Sequence, residues 1–313
     1  MACTILRDIL ESIGNTPLLQ VLKSPKYTSN ILLKLESFNP GGSIKDRIAL
    51  RMIEQCEIAG KISPGMELVE ATSGNTGVGI AWIGKHKGYA VTIITSDKIS
   101  KEKLALIKHL GAKTIITDSN AKPGTKQHCL EIAKCYAASS RRYYLDQFSS
   151  PHNPEAHYLT TAPEIYQQTQ GSVDVVICGI GSGGTAMGLA RYFKEHAPNV
   201  KIIAADPQGS IFYSHKYGEI FNPSPWRIEG VGSDYIPAIY DKNCIDEIHP
   251  ISDDEAFEAC HHLLNSDAID LGLSSGAIVA LGQKIRETGK YKNIVCISPD
   301  AGERYISKFN VIS

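Results

Sequence analysis

The sequence predicts an α/β fold in which largely parallel sheets are covered by helices on both faces. Short apolar runs of strand length alternate with helical patterns along almost the whole chain, as expected of repeated strand–helix units. The runs are apolar nearly throughout, the mark of strands buried on both faces. In chain order the strands are NILLKLE (30–36), MELVEA (66–71), AVTIIT (90–95), KTIITD (113–118), YYLDQF (143–148), VDVVICG (173–179), VKIIAAD (200–206) and NIVCIS (293–298). Helices fall between them at 45–59, 75–86, 100–110, 126–138, 154–169, 184–196, 253–264 and 275–288. The first follows Ser43, a residue suited to cap it, with Ile44, Ile48 and Leu50 apolar and the arginines Arg47 and Arg51 among them. Segment 207–250 breaks the alternation. It is rich in glycine, proline and aromatics and reads as a long functional loop region. No internal repeat or low-complexity tract stands out.

A chain of 313 residues suggests about two domains and can bury a substantial core. Hydrophobic residues at 42% and charged residues at 21% are ordinary for a globular protein. The net charge of −1 supplies no field that would favour nucleic acid or a membrane surface. No apolar run approaches the roughly 18 residues of a membrane span. The start, MACTILRDILESIG, is amphipathic and contains acidic residues, unlike a signal peptide, so the cytosol is the expected compartment. The eight cysteines (Cys3, Cys56, Cys129, Cys135, Cys178, Cys244, Cys260, Cys296) form no C-x-x-C pair and read as reduced core thiols. The ten histidines show no metal-ligand spacing, so no metal site is expected.

The chemistry concentrates at three glycine-rich turns. NPGGSIKD (39–46) puts Lys45 in the first turn of a helix, where the dipole is positive and a cation is disfavoured by roughly 0.3–1 kcal/mol. EATSGNTG (70–77) gathers three hydroxyls, Thr72, Ser73 and Thr76, and the amide of Asn75 around one helix start. GIGSGGT (179–185) joins a strand to a helix. Ligands of open α/β sheets sit beyond the carboxyl ends of strands, where free N–H groups and the helix dipole suit anions. Gly179, Gly181 and Gly184 also match G-x-G-x-x-G, with Asp206 ending the next strand about twenty residues on, so a nicotinamide oxidoreductase is a rival reading. Taken alone, each glycine run is also compatible with a tight turn, and Lys45 with a solvent-facing charge. Taken together, one turn can hold a phosphate, one a carboxylate, and one presents a lysine whose neutral amine is favoured. Those are the requirements of a pyridoxal-phosphate enzyme acting on an α-amino acid.

At these residues the sequence resembles the β-family of pyridoxal-phosphate enzymes, fold type II, to which cysteine synthase and cystathionine β-synthase belong. The resemblance runs from IGNTPLL (13–19) through the three turns, DQFSSPHNPEAHY (146–158) and EGVGSDYIP (229–237) to LSSGA (273–277) and GERY (302–305), covering essentially the whole chain. SDKISKEK (96–103), HYLTTAPEI (157–165), ADPQGSI (205–211), GSDYIP (232–237) and ISDDEAFEACHHLL (251–264) resemble cystathionine β-synthases more than cysteine synthases. The resemblance is to a bare catalytic core, without the haem region or regulatory module of animal forms. It implies two doubly wound three-layer αβα domains of the tryptophan-synthase-β-like kind with the active site between them. The small domain is expected at 45–149, the large one at 1–44 and 150–313, and the assembly as a homodimer.

The resemblance also implies roles. Lys45 is the Schiff-base lysine of pyridoxal 5′-phosphate. Asn75 faces the ring hydroxyl, and Gly181, Ser182, Gly183, Gly184 and Thr185 cradle the phosphate. Thr72, Ser73, Thr76 and Gln147 grip the substrate carboxylate, Gly230 lies near the substrate amine, and Asp234 and Tyr235 near the entrance. One departure stands out. The family supplies a serine to the ring nitrogen just after the proline that precedes GERY or one position later, where SPDAGERY has Asp300 and Ala301. Either the Asp300 carboxylate takes that role, or Ser298 or Ser275 does. The implied reaction is β-replacement on L-serine or an activated serine. Homocysteine as acceptor would make cystathionine, with O-acetylserine and sulfide giving cysteine as the alternative.

Overall fold

A computed structural model describes residues 5–309, so Cys3 and the first four residues of the amphipathic start lie outside the described residues. The strands are β1 (Leu18–Val21), β2 (Asn30–Leu35), β3 (Glu67–Ala71), β4 (Ala90–Ser96), β5 (Lys113–Thr117), β6 (Arg142–Tyr144), β7 (Val175–Gly179), β8 (Lys201–Pro207), β9 (Glu247–Ile251) and β10 (Asn293–Ser298). The helices are α1 (Lys45–Ile58), α2 (Asn75–His86), α3 (Lys101–His109), α4 (Cys129–Tyr136), α5 (His152–Ala156), α6 (Ala162–Gln168), α7 (Gly184–His196), α8 (Ile211–Tyr217), α9 (Asp253–Asp267), α10 (Leu273–Glu287) and α11 (Ile306–Phe309). They build two sheets. One runs β1-β2-β10-β7-β8-β9 and the other β5-β4-β3-β6. Among the strand pairs of the described residues, β1–β2 is antiparallel and the others are parallel.

Both sheets are covered on two faces, which explains their unbroken apolar runs. In β7, Val175 and Ile177 face a core shared with α9 and α10, while Val176 and Cys178 face a second core shared with α6 and α7. In β3, Leu68 packs with α1, α2 and α3, whereas Val69 and Ala71 pack with Ala133 of α4.

Several expectations are corrected. Segment 207–250 is not all loop, because it contains α8 and the start of β9. The helix expected at 154–169 is broken by a π turn, His157–Thr161, between α5 and α6. The strand expected over 143–148 is confined to Arg142–Tyr144, since Asp146 takes a left-handed conformation, φ 51°, that ends it. Ser43 does not cap α1. Ile44 occupies the cap position in helical geometry, and Ser43 Oγ instead accepts the Lys45 N–H at 3.2 Å. Cys135 and Cys244 are exposed rather than core thiols. Among the described residues no helix is long and apolar enough to cross a membrane.

Candidate active site

The carboxyl end of β10 holds the start of α1 in place. Ser43 pairs with Asp300 in an isolated bridge, and the Ile44 N–H donates to the Pro299 carbonyl at 2.9 Å. Lys45 therefore emerges at the strand's end. It shares one cleft of about 370 Å³ with Thr72–Thr76 from the β3–α2 turn and with 181–185 from the β7–α7 turn. Helix α2 reaches this point because Gly79 has no side chain: a Cβ there would sit 3.1 Å from the Lys45 carbonyl oxygen. Burial pushes the Lys45 amine down to about 8, with Asp300 and Glu36 pulling the other way.

On the α2 side, Thr72 Oγ1 accepts the Gly74 N–H at 3.0 Å. Thr76 donates to Gln147 Oε1 at 2.7 Å, and Gln147 also lines the cleft. Ser73 belongs to the same wall, but its Oγ is 2.7 Å from Ser96 Oγ and accepts the Ser96 N–H at 3.1 Å, so it is tied to the end of β4.

On the α7 side, Gly183 sits at φ 91°, a conformation that favours glycine, and a Cβ on Gly184 would overlap the Asn153 amide. Asn153 Nδ2 donates to the Gln147 carbonyl at 2.7 Å and to Ser182 Oγ at 3.0 Å. The first carbonyl used within α7 is that of Gly183, which accepts from Met187 at 2.9 Å. The N–H groups of the first helical residues thus precede the intrahelical ladder and remain for a ligand. Bare backbone, two hydroxyls and a positive dipole end fit a phosphate group. Gly181, Ser182, Gly183, Gly184 and Thr185 all line the cleft.

The third wall is the 229–235 loop, which contributes Gly230 (φ 88°), Asp234 and Tyr235. Tyr235 stands edge-on to Phe148, with ring centroids 5.5 Å apart. Three expected residues lie outside the wall: Ser275, Ser298 and Asp300. Ser275 donates to the Asp300 carbonyl at 3.1 Å and accepts from Ser298 at 3.1 Å. Asp300 Oδ2 accepts from Asn75 Nδ2 and from the Tyr305 hydroxyl, both at 2.5 Å. Asn75 Oδ1 in turn accepts from Arg304 at 2.8 Å. Asp300 thus reaches the cleft through Asn75. Asp206, the acidic residue of the dinucleotide pattern, is buried and accepts the Tyr213 N–H at 2.9 Å, outside the cleft wall. Burial raises its carboxyl to about 6.

Sequence reasoning missed a second hollow of about 560 Å³ that shares Ser73, Ser96, Lys98, Trp226 and 229–232 with the first. It adds Arg227 and Lys308. Lys308 pairs with Glu229, which also pairs with the buried Lys103. Lys98 is exposed and has no carboxylate partner among the described residues. The signal for it lies in SDKISKEK (96–103), whose Ser96 and Lys98 line both hollows. Among the described residues no cluster of three or more His, Cys, Asp or Glu could hold a metal ion.

The sequence profile described as "Pyridoxal-phosphate dependent enzyme" matches residues 9–300. A cystathionine beta-synthase from Apis mellifera is 39% identical over 312 residues, covering 97% of this chain and 61% of that protein, so the chain spans less than two thirds of that relative. Cysteine synthase A from Escherichia coli K12 is also 39% identical, covering 97% of this chain and 94% of the relative. The crystal structure of a hydrogen sulfide-producing enzyme from Fusobacterium nucleatum superposes with a TM-score of 0.88 at 38% identity, covering 96% of this chain and 100% of that one.

Proposed function

This chain belongs to the family of pyridoxal-phosphate dependent enzymes, with the two-sheet architecture of fold type II and pyridoxal 5′-phosphate as its cofactor, and from that premise we propose that it catalyses β-replacement on L-serine with homocysteine, forming cystathionine. When bound, the pyridoxal ring supplies an electron sink for the charge left at the substrate Cα.

The protein's own groups do the rest. Lys45 carries the cofactor at rest. Displaced by substrate, its amine takes the Cα proton, a task suited to a group pushed down to about 8. When hydroxide leaves from Cβ, Lys45 returns a proton to it. The backbone of 181–185 with the Ser182 and Thr185 hydroxyls holds the phosphate. Asn75, held by Asp300 and Arg304, would meet the ring hydroxyl when the cofactor is bound. Thr72, Ser73, Thr76 and Gln147 hold the substrate carboxylate, Gly230 lies by its amine, and Asp234 and Tyr235 border the entrance. The smaller unit, 45–149, closes on the remainder to exclude water while the thiol adds. The enzyme works as a homodimer, as the family resemblance implies.

Lys98 carries the choice of acceptor. It is an exposed cation where both hollows meet. Homocysteine presents a carboxylate to such a group, and sulfide does not. The match to 94% of a cysteine synthase favours a second reading, O-acetylserine plus sulfide to cysteine. A matrix of donors (serine, O-acetylserine, O-phosphoserine) against acceptors (homocysteine, sulfide) separates the two by kcat/KM. Serine with homocysteine is expected to lead. Lys98→Met should raise the KM for homocysteine about tenfold, the scale of one charge-assisted hydrogen bond, and leave sulfide unaffected. O-Acetylserine with sulfide leading, or equal losses for both acceptors, would move the assignment to cysteine synthase.

A further inference from the structure

Three polar groups at the end of β4 converge on the hydroxyl oxygen of Ser73. The parallel ladder between β3 and β4 runs on past Ala71, where the Thr72 N–H donates to the Ile94 carbonyl at 2.8 Å. In a regular ladder the Ser96 N–H, two residues on, would then reach the Thr72 carbonyl. It turns instead to Ser73 Oγ at 3.1 Å, so a side chain replaces the last ladder carbonyl. Ser96 Oγ lies 2.7 Å from the same atom, and Thr95 Oγ1 stands at 3.4 Å, the edge of hydrogen-bond range. Ser73 and Ser96 both line the two hollows.

A serine hydroxyl has one proton and two lone pairs. The Ser96 N–H can only donate, so it takes one lone pair of Ser73. The contact between the two hydroxyls can run either way. If Ser73 gives its proton to Ser96, Ser73 has none left for an anion in the cleft. If Ser96 gives its proton to Ser73, both Ser73 lone pairs are filled from the β4 side and the Ser73 proton is turned into the cleft. A bound carboxylate selects the second arrangement, because a hydrogen bond to an ionised acceptor is roughly twice as strong as one between neutral groups. The turn has few other protons to offer. Thr76 gives its own to Gln147 Oε1 at 2.7 Å, which leaves the hydroxyls of Thr72 and Ser73.

We infer that Ser96 is a positioning residue for the carboxylate of the donor substrate: from the end of β4, its N–H and hydroxyl fix the Ser73 oxygen and aim the Ser73 proton into the cleft. The inference rests on the reading that Thr72, Ser73 and Thr76 hold that carboxylate. Lys98, two residues further on, is the group assigned above to the acceptor. The end of β4 thus serves both substrates through different residues.

The test is titration of the holoenzyme with L-serine and with ethanolamine, which keeps the amine and the hydroxyl but has no carboxylate, each followed by the shift of the cofactor absorption band. Ser96→Ala should weaken L-serine about fivefold and leave ethanolamine within about twofold. Ser73→Ala should lose at least as much for L-serine, and the double variant should bind it no worse than Ser73→Ala alone. Ser96→Thr, which keeps both donors, should bind L-serine as the wild type does. In turnover, Ser96→Ala should raise the KM for serine and leave the KM for homocysteine unchanged, the reverse of Lys98→Met. Equal losses for both probes, additive losses in the double variant, or an unaffected Ser96→Ala would overturn the role of Ser96. An unaffected Ser73→Ala would overturn the carboxylate reading of Ser73 itself, and the inference with it.

Discussion

Behind helix α1, Arg47 donates to Glu36 Oε2 at 2.7 Å and to Glu164 Oε1 at 2.7 Å, and the buried Lys34 reaches Glu164 Oε2 at 2.7 Å. At the end of β10, Asp300, Asn75, Arg304 and Tyr305 form a second buried cluster. The first network is complete: none of its four side chains leaves a buried polar atom without a partner among the described residues. The second leaves Asp300 Oδ1 and Arg304 Nε unpaired. Buried polar atoms are ordinarily all paired, and incompletely paired ones concentrate where function makes demands. The comparison separates a scaffold that positions Lys45 from a cluster that acts on the cleft through Asn75.

The largest expected effect breaks the scaffold. Arg47→Met leaves Glu36 and Glu164 buried without their shared cation and should cost about 3–5 kcal/mol, read as a fall in denaturation midpoint. Next comes its pH signature. Burial works to raise the Glu164 carboxyl, but Arg47 and Lys34 override it and hold the group at about 2 against an ordinary 4.5. Between those values the unfolded chain binds the proton and the folded chain does not. The stability is therefore present above about pH 4.5 and lost as pH falls towards 2. Thermal midpoints of Glu164→Gln measured from pH 6 to 3 should show a flatter acid limb than wild type. The second cluster should respond in the opposite sense. Asp300→Asn should cost only about 1–2 kcal/mol of stability while lowering kcat/KM about tenfold and moving the cofactor absorption band. A stability loss as large as that of Arg47→Met, with no spectral change, would erase the distinction.

Much of this was legible in the sequence because parallel strands buried on two faces leave unbroken apolar runs, and because glycines mark the turns where backbone must come close. The eight expected strands all form, although YYLDQF is shorter than its apolar run implied. What escaped depends on distant partners. Strand β1 (LLQV) exists through its antiparallel register with β2, and β9 (EIHPI) through pairing with β8 despite a proline. The π turn in HYLTT follows a regular helical pattern in sequence, and it packs where Gly188 of α7 comes close to Pro154, His157 and Tyr158. The orientation of Asp300 is set by Asn75, which lies 225 residues away in the chain. Lys98 is one lysine among many until the two hollows are seen to share it.

The most direct measurement is borohydride reduction of the holoprotein followed by peptide mapping. The reduced cofactor should be fixed to the amine of Lys45 and should be absent from Lys45→Ala. Fixation to any other lysine, or turnover of serine and homocysteine by Lys45→Ala at the wild-type rate, would contradict the account.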